Sequence, residues 1–265
     1  MSELESYLEP VAQLAREAGD AILAIYGDPI TVETKADDSP LTAADTASHR
    51  ILVRGLGALT PAIPVLSEEA AAIPYSERQS WTRYWLIDPL DGTKEFINRN
   101  GEFTVNVALI EHGEPVLGVV YVPVGGSMYL AARGGQAHKL TADGERRVIR
   151  VRPADPQALV AVASRSHRSA AIDAYLRHFG EPSVRSIGSS LKICLIAEGE
   201  ADIYPRLGPT SEWDTAAAQA VLEVAGGRLT DTQLAPLRYN GKAEYLNPHF
   251  LAFGDASIDW GAPLA

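Results

Sequence analysis

In the stretch Trp85-Leu-Ile-Asp88-Pro89-Leu90-Asp91-Gly92-Thr93, a short apolar run ends in two carboxylates that flank a proline. The apolar run predicts a buried strand. Pro89 fixes its own φ angle, so Asp88 and Asp91 flank a tight turn and the Leu90 carbonyl points outward as a third oxygen. Hard cations prefer such oxygen ligands. Taken alone, an ordinary Asp-Pro-x-Asp-Gly turn explains these residues about equally well.

Three further acidic segments lie elsewhere in the chain. Glu68-Glu69 follows the apolar run Ile63–Ser67, Asp214 opens a helical pattern, and Asp45 occupies the fourth position of Thr42-Ala-Ala-Asp45. Each has an ordinary alternative: a solvated acidic loop, a helix N-cap and a capping box, respectively. The coincidence of all four segments at strand ends or helix starts favours one metal site built from converging elements.

Periodicity along the chain predicts a layered mixture of helices and strands. Helical patterns cover residues 3–26, 42–56, 170–179, 190–197 and 213–225. Strand patterns cover 63–69, 84–88, 103–110, 116–122, 128–132, 159–163, 201–204, 244–246 and 250–253. Turn-separated neighbours from residue 103 favour an antiparallel meander. We expect an α/β (α+β) layered sandwich, with an N-terminal half at 1–152 carrying most metal ligands and a C-terminal half at 153–265 carrying Asp214 and the specificity residues.

Composition restricts the class of partner. The 265 residues are 46% hydrophobic, enough for a sizeable core, and the formal net charge of −11 opposes attraction to nucleic-acid polymers. The single cysteine, Cys194, and the absence of a signal-like start favour a cytoplasmic location. No apolar run approaches the roughly 20 residues that a transmembrane helix needs. A peripheral position at the cytoplasmic face of the inner membrane and a homodimer both stay open.

The four acidic segments together resemble the inositol monophosphatase superfamily, the lithium-sensitive, magnesium-dependent phosphatases. The resemblance covers nearly the whole chain and rests on Asp45, Glu68-Glu69, Asp88-Pro-Leu-Asp91-Gly-Thr93 and Trp213-Asp214-Thr-Ala-Ala217. The continuation Gly-Thr-Lys-Glu-Phe after Asp91 is similar to the bacterial CysQ branch, the 3′(2′),5′-bisphosphate nucleotidases, whereas inositol phosphatases more often have Thr-Asn-Phe after Asp-Gly-Thr. This resemblance implies a sandwich of alternating α and β layers with a metal site where its halves meet.

The resemblance also assigns roles at the metal site. About two or three Mg²⁺ ions would serve a metal-activated water. Their ligands would be Glu68, Asp88, the Leu90 carbonyl, Asp91 and Asp214. Thr93 and Asp45 would position and deprotonate the attacking water, and Glu68 is assigned to catalysis as well as to metal binding.

Substrate specificity is expected from the second half. The stretch Gly188-Ser189-Ser190-Leu191-Lys192 resembles a nucleotide-contacting segment, with Ser189 and Lys192 as candidates, and Arg206 and His167 fall where related nucleotidases contact the nucleotide. Lysine and arginine suit a second phosphate that is bound but not cleaved. Each residue also has an ordinary explanation. The residues from Gly188 to Ser190 could simply start a helix, Lys192 could be a solvated flanking residue, and His167 could be a loop residue. The remaining candidates for substrate contact are Gly92, Thr93 and Asp214.

The resulting prediction is a phosphomonoesterase that converts adenosine 3′,5′-bisphosphate (PAP) to AMP and phosphate, with its sulfated precursor PAPS as a further candidate substrate. This activity would be a housekeeping step in sulfur assimilation. An enzyme alternative is inositol-1-phosphate or fructose-1,6-bisphosphate hydrolysis with the same metal machinery. A non-enzyme alternative is a degenerate regulatory protein that binds metal or nucleotide. The complete set of mutually repelling acids argues against degeneration.

Overall fold

The structure is a computed structural model that describes residues 2–27, 32–34, 40–165, 169–180 and 182–264. The predicted nucleotide contact at His167 lies outside these residues.

Two amphipathic helices open the chain. Helix α1 spans Glu3–Tyr26, and its N-terminus is closed by a capping box in which Ser2 and Glu5 bond each other's backbone N–H. The short strands β1 (Val32–Thr34) and β2 (Pro40–Thr42) pair antiparallel, and helix α2 (Ala43–Leu59) follows. Both helices were predicted from their apolar spacing, and both are confirmed.

A seven-stranded sheet forms the centre of the first half. Its strands are β3 (Val65–Ser67), β4 (Arg83–Asp91), β5 (Thr104–Glu111), β6 (Glu114–Val122), β7 (Ser127–Ala132), β8 (His138–Leu140) and β9 (Arg146–Val148), in that order. Strands β3 and β4 run parallel, and every later pair is antiparallel, so the predicted meander is confirmed. A 3₁₀ turn at Glu68–Ala70 and the short helices α3 (Tyr75–Arg78) and α4 (Thr93–Ile97) connect the early strands.

A five-stranded mixed sheet follows in the second half. Its strands in chain order are β10 (Val160–Ser164), β11 (Ser183–Ile187), β12 (Ile203–Arg206), β13 (Arg228–Asp231) and β14 (Phe250–Phe253); in space they run β11-β10-β12-β14-β13. Helices α5 (Ala170–Arg177), α6 (Leu191–Ala197) and α7 (Glu212–Val224) accompany this sheet, and a 3₁₀ turn at Ala262–Leu264 ends the described chain.

Three apolar cores separate five alternating layers. The first core joins α1 and α2 to one face of the large sheet through residues such as Ile22 and Leu52. The second packs α6 and α7 between the other face of that sheet and the small sheet. The third packs α5 and Trp260 on the outer face of the small sheet. The predicted sandwich of alternating helix and sheet layers is therefore confirmed.

The strand predicted at residues 244–246 is wrong. Leu246 forms only an isolated bridge with Ser211, and the Tyr245 carbonyl accepts the Glu212 N–H at 2.8 Å, so this segment crosses the start of α7 as a loop. The strands at 32–34, 40–42, 138–140, 146–148, 183–187 and 228–231 were not predicted. Their alternation is short and largely polar, as in Ser183-Val-Arg-Ser-Ile187, so periodicity gives little signal there.

Candidate active site

Strand β4 delivers two carboxylates to one turn, as its sequence predicts. The strand is buried between β3 and β5, and Asp88 is 1% exposed. The Leu90 N–H donates to Asp88 Oδ1 at 3.0 Å, and Ser48 Oγ from α2 donates to the Pro89 carbonyl at 2.7 Å. These bonds fix the turn on both sides, so the carboxylates are held by backbone geometry.

Carboxylates from distant parts of the chain meet at this turn. Asp88, Asp91 and Asp214 each offer an oxygen, and these oxygens lie within 4.8 Å of one another. Glu68, at the start of the 3₁₀ turn after β3, forms a side-chain hydrogen bond with Asp88. The structure thus brings together the four acidic side chains predicted as metal ligands. The Leu90 carbonyl lies 3.5 Å from Thr93 Oγ1 at the same turn.

Burial and mutual repulsion make these carboxylates hard to ionise without a countercharge. Desolvation raises the pKa of Asp88 well above its usual value, and the charges of Glu68, Asp91 and Asp214 raise it further. Desolvation likewise raises the pKa of Asp214, again with help from Asp91 and Glu68. A hard cation would relieve both effects, because it supplies positive charge and replaces lost hydration with carboxylate oxygens.

Asp91 accepts hydrogen bonds from three different residues. Its Oδ2 accepts from the Ser190 N–H at 2.5 Å, from Asn106 Nδ2 at 3.3 Å and from Thr104 Oγ1 at 3.4 Å. Desolvation raises the pKa of Asp91, whereas the Lys192 charge and these bonds lower it. None of these three donors was predicted from the sequence. Asn106 is a polar residue within the largely apolar strand β5, and this exception in the sequence could have indicated a site residue.

Helix α7 presents Asp214 in a way that differs from the simple alternative of an N-cap. Ser211 is the N-cap, and Asp214 is the third helical residue, whose Oδ2 accepts the Ser211 N–H at 2.9 Å. One carboxylate oxygen therefore fixes the helix start while the side chain faces Asp91. The capping pattern and the predicted site are compatible at this residue.

Asp45 and Thr93 form a second contact between α2 and the turn. Asp45 Oδ2 accepts from the Thr42 N–H at 2.8 Å and from Thr42 Oγ1 at 2.6 Å, which is the capping box expected from the sequence. Asp45 Oδ1 lies 3.3 Å from Thr93 Oγ1. Capping thus holds Asp45, which is 1% exposed, with its second oxygen directed at the Thr93 hydroxyl.

Gly92 lets the chain turn from β4 into α4. Its φ of +94° lies in the left-handed region that favours glycine. A side chain here would be strained and would approach the Glu102 carbonyl at 3.3 Å. Gly92 therefore brings Thr93 back toward Asp45 and leaves the backbone open to a ligand.

The second half contributes a basic group and a tight turn. Ser189 has a φ of +51°, and Lys192 Nζ donates to the Ser189 carbonyl at 2.6 Å and to the Ile187 carbonyl at 3.3 Å. Desolvation lowers the pKa of Lys192 to about 8, although Asp91 opposes the shift. Arg206 donates from Nη2 to the Pro209 carbonyl at 2.8 Å, and its buried Nε has no hydrogen-bond partner among the described residues.

These groups line one cleft of about 280 Å³. Seven residues singled out from the sequence lie on its walls: Asp91, Gly92, Thr93, Ser189, Lys192, Arg206 and Asp214. Four other predicted site residues that the structure describes are not among the lining residues: Asp45, Glu68, Asp88 and Leu90. Asp45 Oδ1 and the Leu90 carbonyl lie within 3.5 Å of Thr93 Oγ1, and Asp88 lies beside Asp91 and Asp214. The cleft also contains Glu95, Tyr204 and Phe250, which the sequence analysis did not assign to substrate. Tyr204 and Phe250 pack edge to face on each other, with ring centroids 5.5 Å apart.

Comparison with known proteins agrees with this geometry. The family model described as "Inositol monophosphatase family" matches residues 3–251. The chain belongs to the inositol monophosphatase family. It is 56% identical over 245 residues to a 3′(2′),5′-bisphosphate nucleotidase CysQ of Escherichia coli O157:H7, covering 92% of this chain and 98% of that one. It is 42% identical to the CysQ nucleotidase of Buchnera aphidicola, covering 92% of each chain.

Solved structures give the same family assignment. CysQ from Bacteroides thetaiotaomicron superimposes with a TM-score of 0.82 at 40% identity, covering 95% of this chain and 98% of that one. An inositol monophosphatase from Anabaena superimposes with a TM-score of 0.79 at 26% identity, covering 99% and 96%. The resemblance inferred from the acidic segments is therefore confirmed.

Within the described residues, no helix has both the length and the apolar character that crossing a membrane requires.

Proposed function

We propose that this chain hydrolyses adenosine 3′,5′-bisphosphate to AMP and phosphate, with PAPS as a further substrate. The observation that carries the proposal is the 56% identity to a curated 3′(2′),5′-bisphosphate nucleotidase over 92% of the chain. The cleft supports it, because its walls include Asp91 and Asp214 of the acidic cluster together with Lys192 and Arg206. A substrate with two phosphates fits a cleft that combines a cation site with basic side chains.

The donor set fits Mg²⁺. The buried Asp88 and the partly buried Asp91 and Asp214 converge within 4.8 Å, and desolvation raises the pKa of each. We assign Glu68, Asp88, the Leu90 carbonyl, Asp91 and Asp214 as the residues that would hold Mg²⁺. When bound, Mg²⁺ supplies positive charge that lowers the pKa of water and stabilises the phosphoryl oxygens.

Asp45 and Thr93 account for the proton of the attacking water. Because Asp45 Oδ2 already accepts two bonds from Thr42, its Oδ1 is the oxygen directed at Thr93 Oγ1. The Thr93 hydroxyl then donates its hydrogen to Asp45, and its lone pairs accept a hydrogen from water. The water oxygen bonds to phosphorus as the bond from phosphorus to the ribose oxygen breaks, and the departing ribose oxygen takes a proton from solvent to leave as the hydroxyl of AMP. Asp45 serves as the proton acceptor within this pair.

Lys192, Arg206 and Ser189 would bind the phosphate that is not cleaved. Lys192 and Arg206 supply positive charge to the wall of the cleft, and the buried Arg206 Nε is a donor without a described partner. We assign His167 to the same role on sequence grounds. A cytoplasmic location, a role in sulfur assimilation, lithium sensitivity, a homodimer and a boundary at residues 152/153 stay predictions.

Phosphate release tests the proposal. With Mg²⁺ present, we expect preference for adenosine 3′,5′-bisphosphate over inositol-1-phosphate and fructose-1,6-bisphosphate, with activity lost in Asp91→Asn. Preference for either sugar phosphate would preserve the metal chemistry and overturn the substrate. No release from any of them would favour a protein that only binds metal or nucleotide.

A further inference from the structure

Glu95 is a buried carboxylate in the cleft with no role in the chemistry described above. It lies on α4, two residues after Thr93, and its residue is 8% exposed. The same cleft contains Glu95, Gly92 and Asp91. Within the described chain, its own N–H is the backbone donor to the carboxylate, and no other described residue donates a hydrogen bond to it. A buried carboxylate without donors from its surroundings is costly unless a ligand supplies one.

The loop that contains Gly188 packs closely against the Glu95 side chain and restricts its orientation. A Cβ atom placed on Gly188 would lie 2.5 Å from Glu95 Cγ and 3.0 Å from its Cδ. On the other side, a Cβ atom on Gly92 would lie 3.4 Å from Glu95 Oε2. Both neighbours are glycines, so the side chain fits between the turn after β4 and the Gly188 loop. Glu95 Oε2 therefore lies close to Gly92, which directly follows Asp91, one of the residues assigned to Mg²⁺.

The position favours a neutral donor on the substrate. A carboxylate accepts hydrogen bonds and repels phosphate, so Glu95 is unsuited to either phosphate group. The neutral donor closest to a 3′-phosphate is the hydroxyl on the neighbouring ribose carbon. Desolvation raises the pKa of Glu95, and the charges of Asp91 and Glu102 add to the rise, whereas the bond from its own N–H and the Lys192 charge oppose it. A hydroxyl donor from the substrate would offset part of the cost of its burial.

We propose that Glu95 is a specificity-determining residue that accepts a hydrogen bond from the ribose hydroxyl adjacent to the phosphate that is cleaved. This inference rests on the proposed nucleotidase function and adds one substrate contact to it. A site built around a substrate hydroxyl discriminates strongly against an analogue that lacks it, because the buried acceptor is then left unpaired.

The experiment compares two substrates on the wild type and on variants of Glu95. Adenosine 3′,5′-bisphosphate and its 2′-deoxy analogue are compared on the wild type, Glu95→Ala and Glu95→Gln, with Glu77→Gln as a matched control at an exposed carboxylate on α3. We expect the wild type and the control to prefer the ribose substrate by about 30-fold in kcat/KM, the range of a charged hydrogen bond. In Glu95→Ala the preference should fall to about one, while Glu95→Gln, which keeps an acceptor oxygen, should retain part of it.

Several outcomes would overturn the inference. One is a wild type that does not discriminate between the two substrates. Another is a preference that persists in Glu95→Ala, even if total activity falls. A third is an unchanged preference with a higher Mg²⁺ requirement in both variants, which would place Glu95 at the cation instead. Thermal unfolding of each variant identifies misfolding, and Glu95→Gln preserves the side-chain volume if Glu95→Ala does not fold. Inactivity of the wild type on both nucleotides would overturn the proposed function and this contact together.

Discussion

On the acidic side of the cleft, Asp88 and Asp91 lie at the end of β4, whereas on the basic side Lys192 lies at the start of α6, directly after the loop at residues 188–190. Strand β4 is paired along its length with β5 and is buried in a seven-stranded sheet. The loop is held by a few side-chain contacts: Glu102 to Gly188, Asp91 to Ser190 and Lys192 to two carbonyls. The β4 carboxylates therefore depend on a backbone ladder, and the position of the loop before Lys192 depends on individual hydrogen bonds.

This difference suits the acidic side to catalysis and the basic side to substrate binding. Chemistry needs carboxylates held to a fraction of an ångström, which a buried strand end provides. Binding of the second phosphate tolerates more variation, which a loop provides. Changes on the acidic side should therefore alter kcat and the response to Mg²⁺, while changes on the basic side should alter KM.

The largest expected effect follows from Asp88→Asn. We expect kcat/KM to fall about 1,000-fold, since metal ions supply several kcal/mol to the transition state and each 1.4 kcal/mol is about tenfold. We also expect the metal-free protein to become more stable at pH 7. Because burial raises the pKa of Asp88, folding is favoured while the carboxyl is protonated, and that advantage is lost as pH rises through the raised pKa.

Thermal unfolding with and without Mg²⁺ checks this expectation, with Asp202→Asn as the control. Asp202 is also buried, but it is paired with Arg152 at 2.7 Å and lies outside the cleft. We expect Asp202→Asn to lower the unfolding temperature of the metal-free protein. The rise in unfolding temperature on addition of Mg²⁺ should be the same as in the wild type. A lower metal-free stability in Asp88→Asn would contradict the idea that the acidic side is strained without a cation.

A smaller effect is expected at Lys192 on the basic side. Lys192→Met should raise KM for the bisphosphate about 30-fold with kcat nearly unchanged, as for loss of one partner of a buried charge pair. Because burial lowers the pKa of Lys192 to about 8, wild-type kcat/KM should also decline as pH rises above 8 and the ammonium loses its proton. Lys192→Arg should remove this decline, since arginine stays charged. A kcat loss with normal KM would assign Lys192 to the acidic side instead.

The two sides also differ in how far the sequence predicts them. Asp88, Leu90 and Asp91 are neighbours in the chain, and the apolar run before them indicates a strand end, so their grouping follows from local pattern. The bond from Ser190 to Asp91 joins residues that are 99 positions apart, and no local pattern indicates it. The fit of Gly188 against Glu95 is equally non-local. Periodicity determines elements and their order, whereas contacts across a cleft depend on how the packed layers meet.

A third effect, smaller again, is expected at Glu102. Its Oε2 accepts the Gly188 N–H at 2.8 Å and its Oε1 accepts from Arg165 at 2.6 Å, so one side chain of the first half holds two segments of the second. Glu102→Ala should raise KM about tenfold, the value of one hydrogen bond to a charged acceptor. Glu102→Gln keeps an acceptor for Gly188 and should raise KM about twofold, because the ion pair with Arg165 is solvent-exposed.

The matched measurement is the Mg²⁺ concentration for half-maximal activity, which should stay unchanged in both Glu102 variants. A change in that concentration without a change in KM would mean that the Gly188 loop acts on the metal site. Substrate binding and metal binding would then not be separated between the two sides at this contact.

The smallest effect is expected at His49, the counterpart of Glu102 behind the acidic side. His49 Nδ1 lies 2.8 Å from Ser67 Oγ, and Ser67 Oγ accepts the Glu69 N–H at 3.3 Å. His49 and Ser67 share one hydrogen bond, whose donor depends on the His49 tautomer, and these contacts together hold the turn that carries Glu68. His49→Ala should raise the Mg²⁺ concentration for half-maximal activity about threefold, the value of one neutral hydrogen bond, and leave KM for the nucleotide unchanged. His49→Gln, which offers an amide oxygen to Ser67, should recover part of the loss. If His49→Ala raised KM and left the Mg²⁺ response unchanged, the backbone ladder alone would hold the acidic side, and its support from α2 would have no part in metal binding.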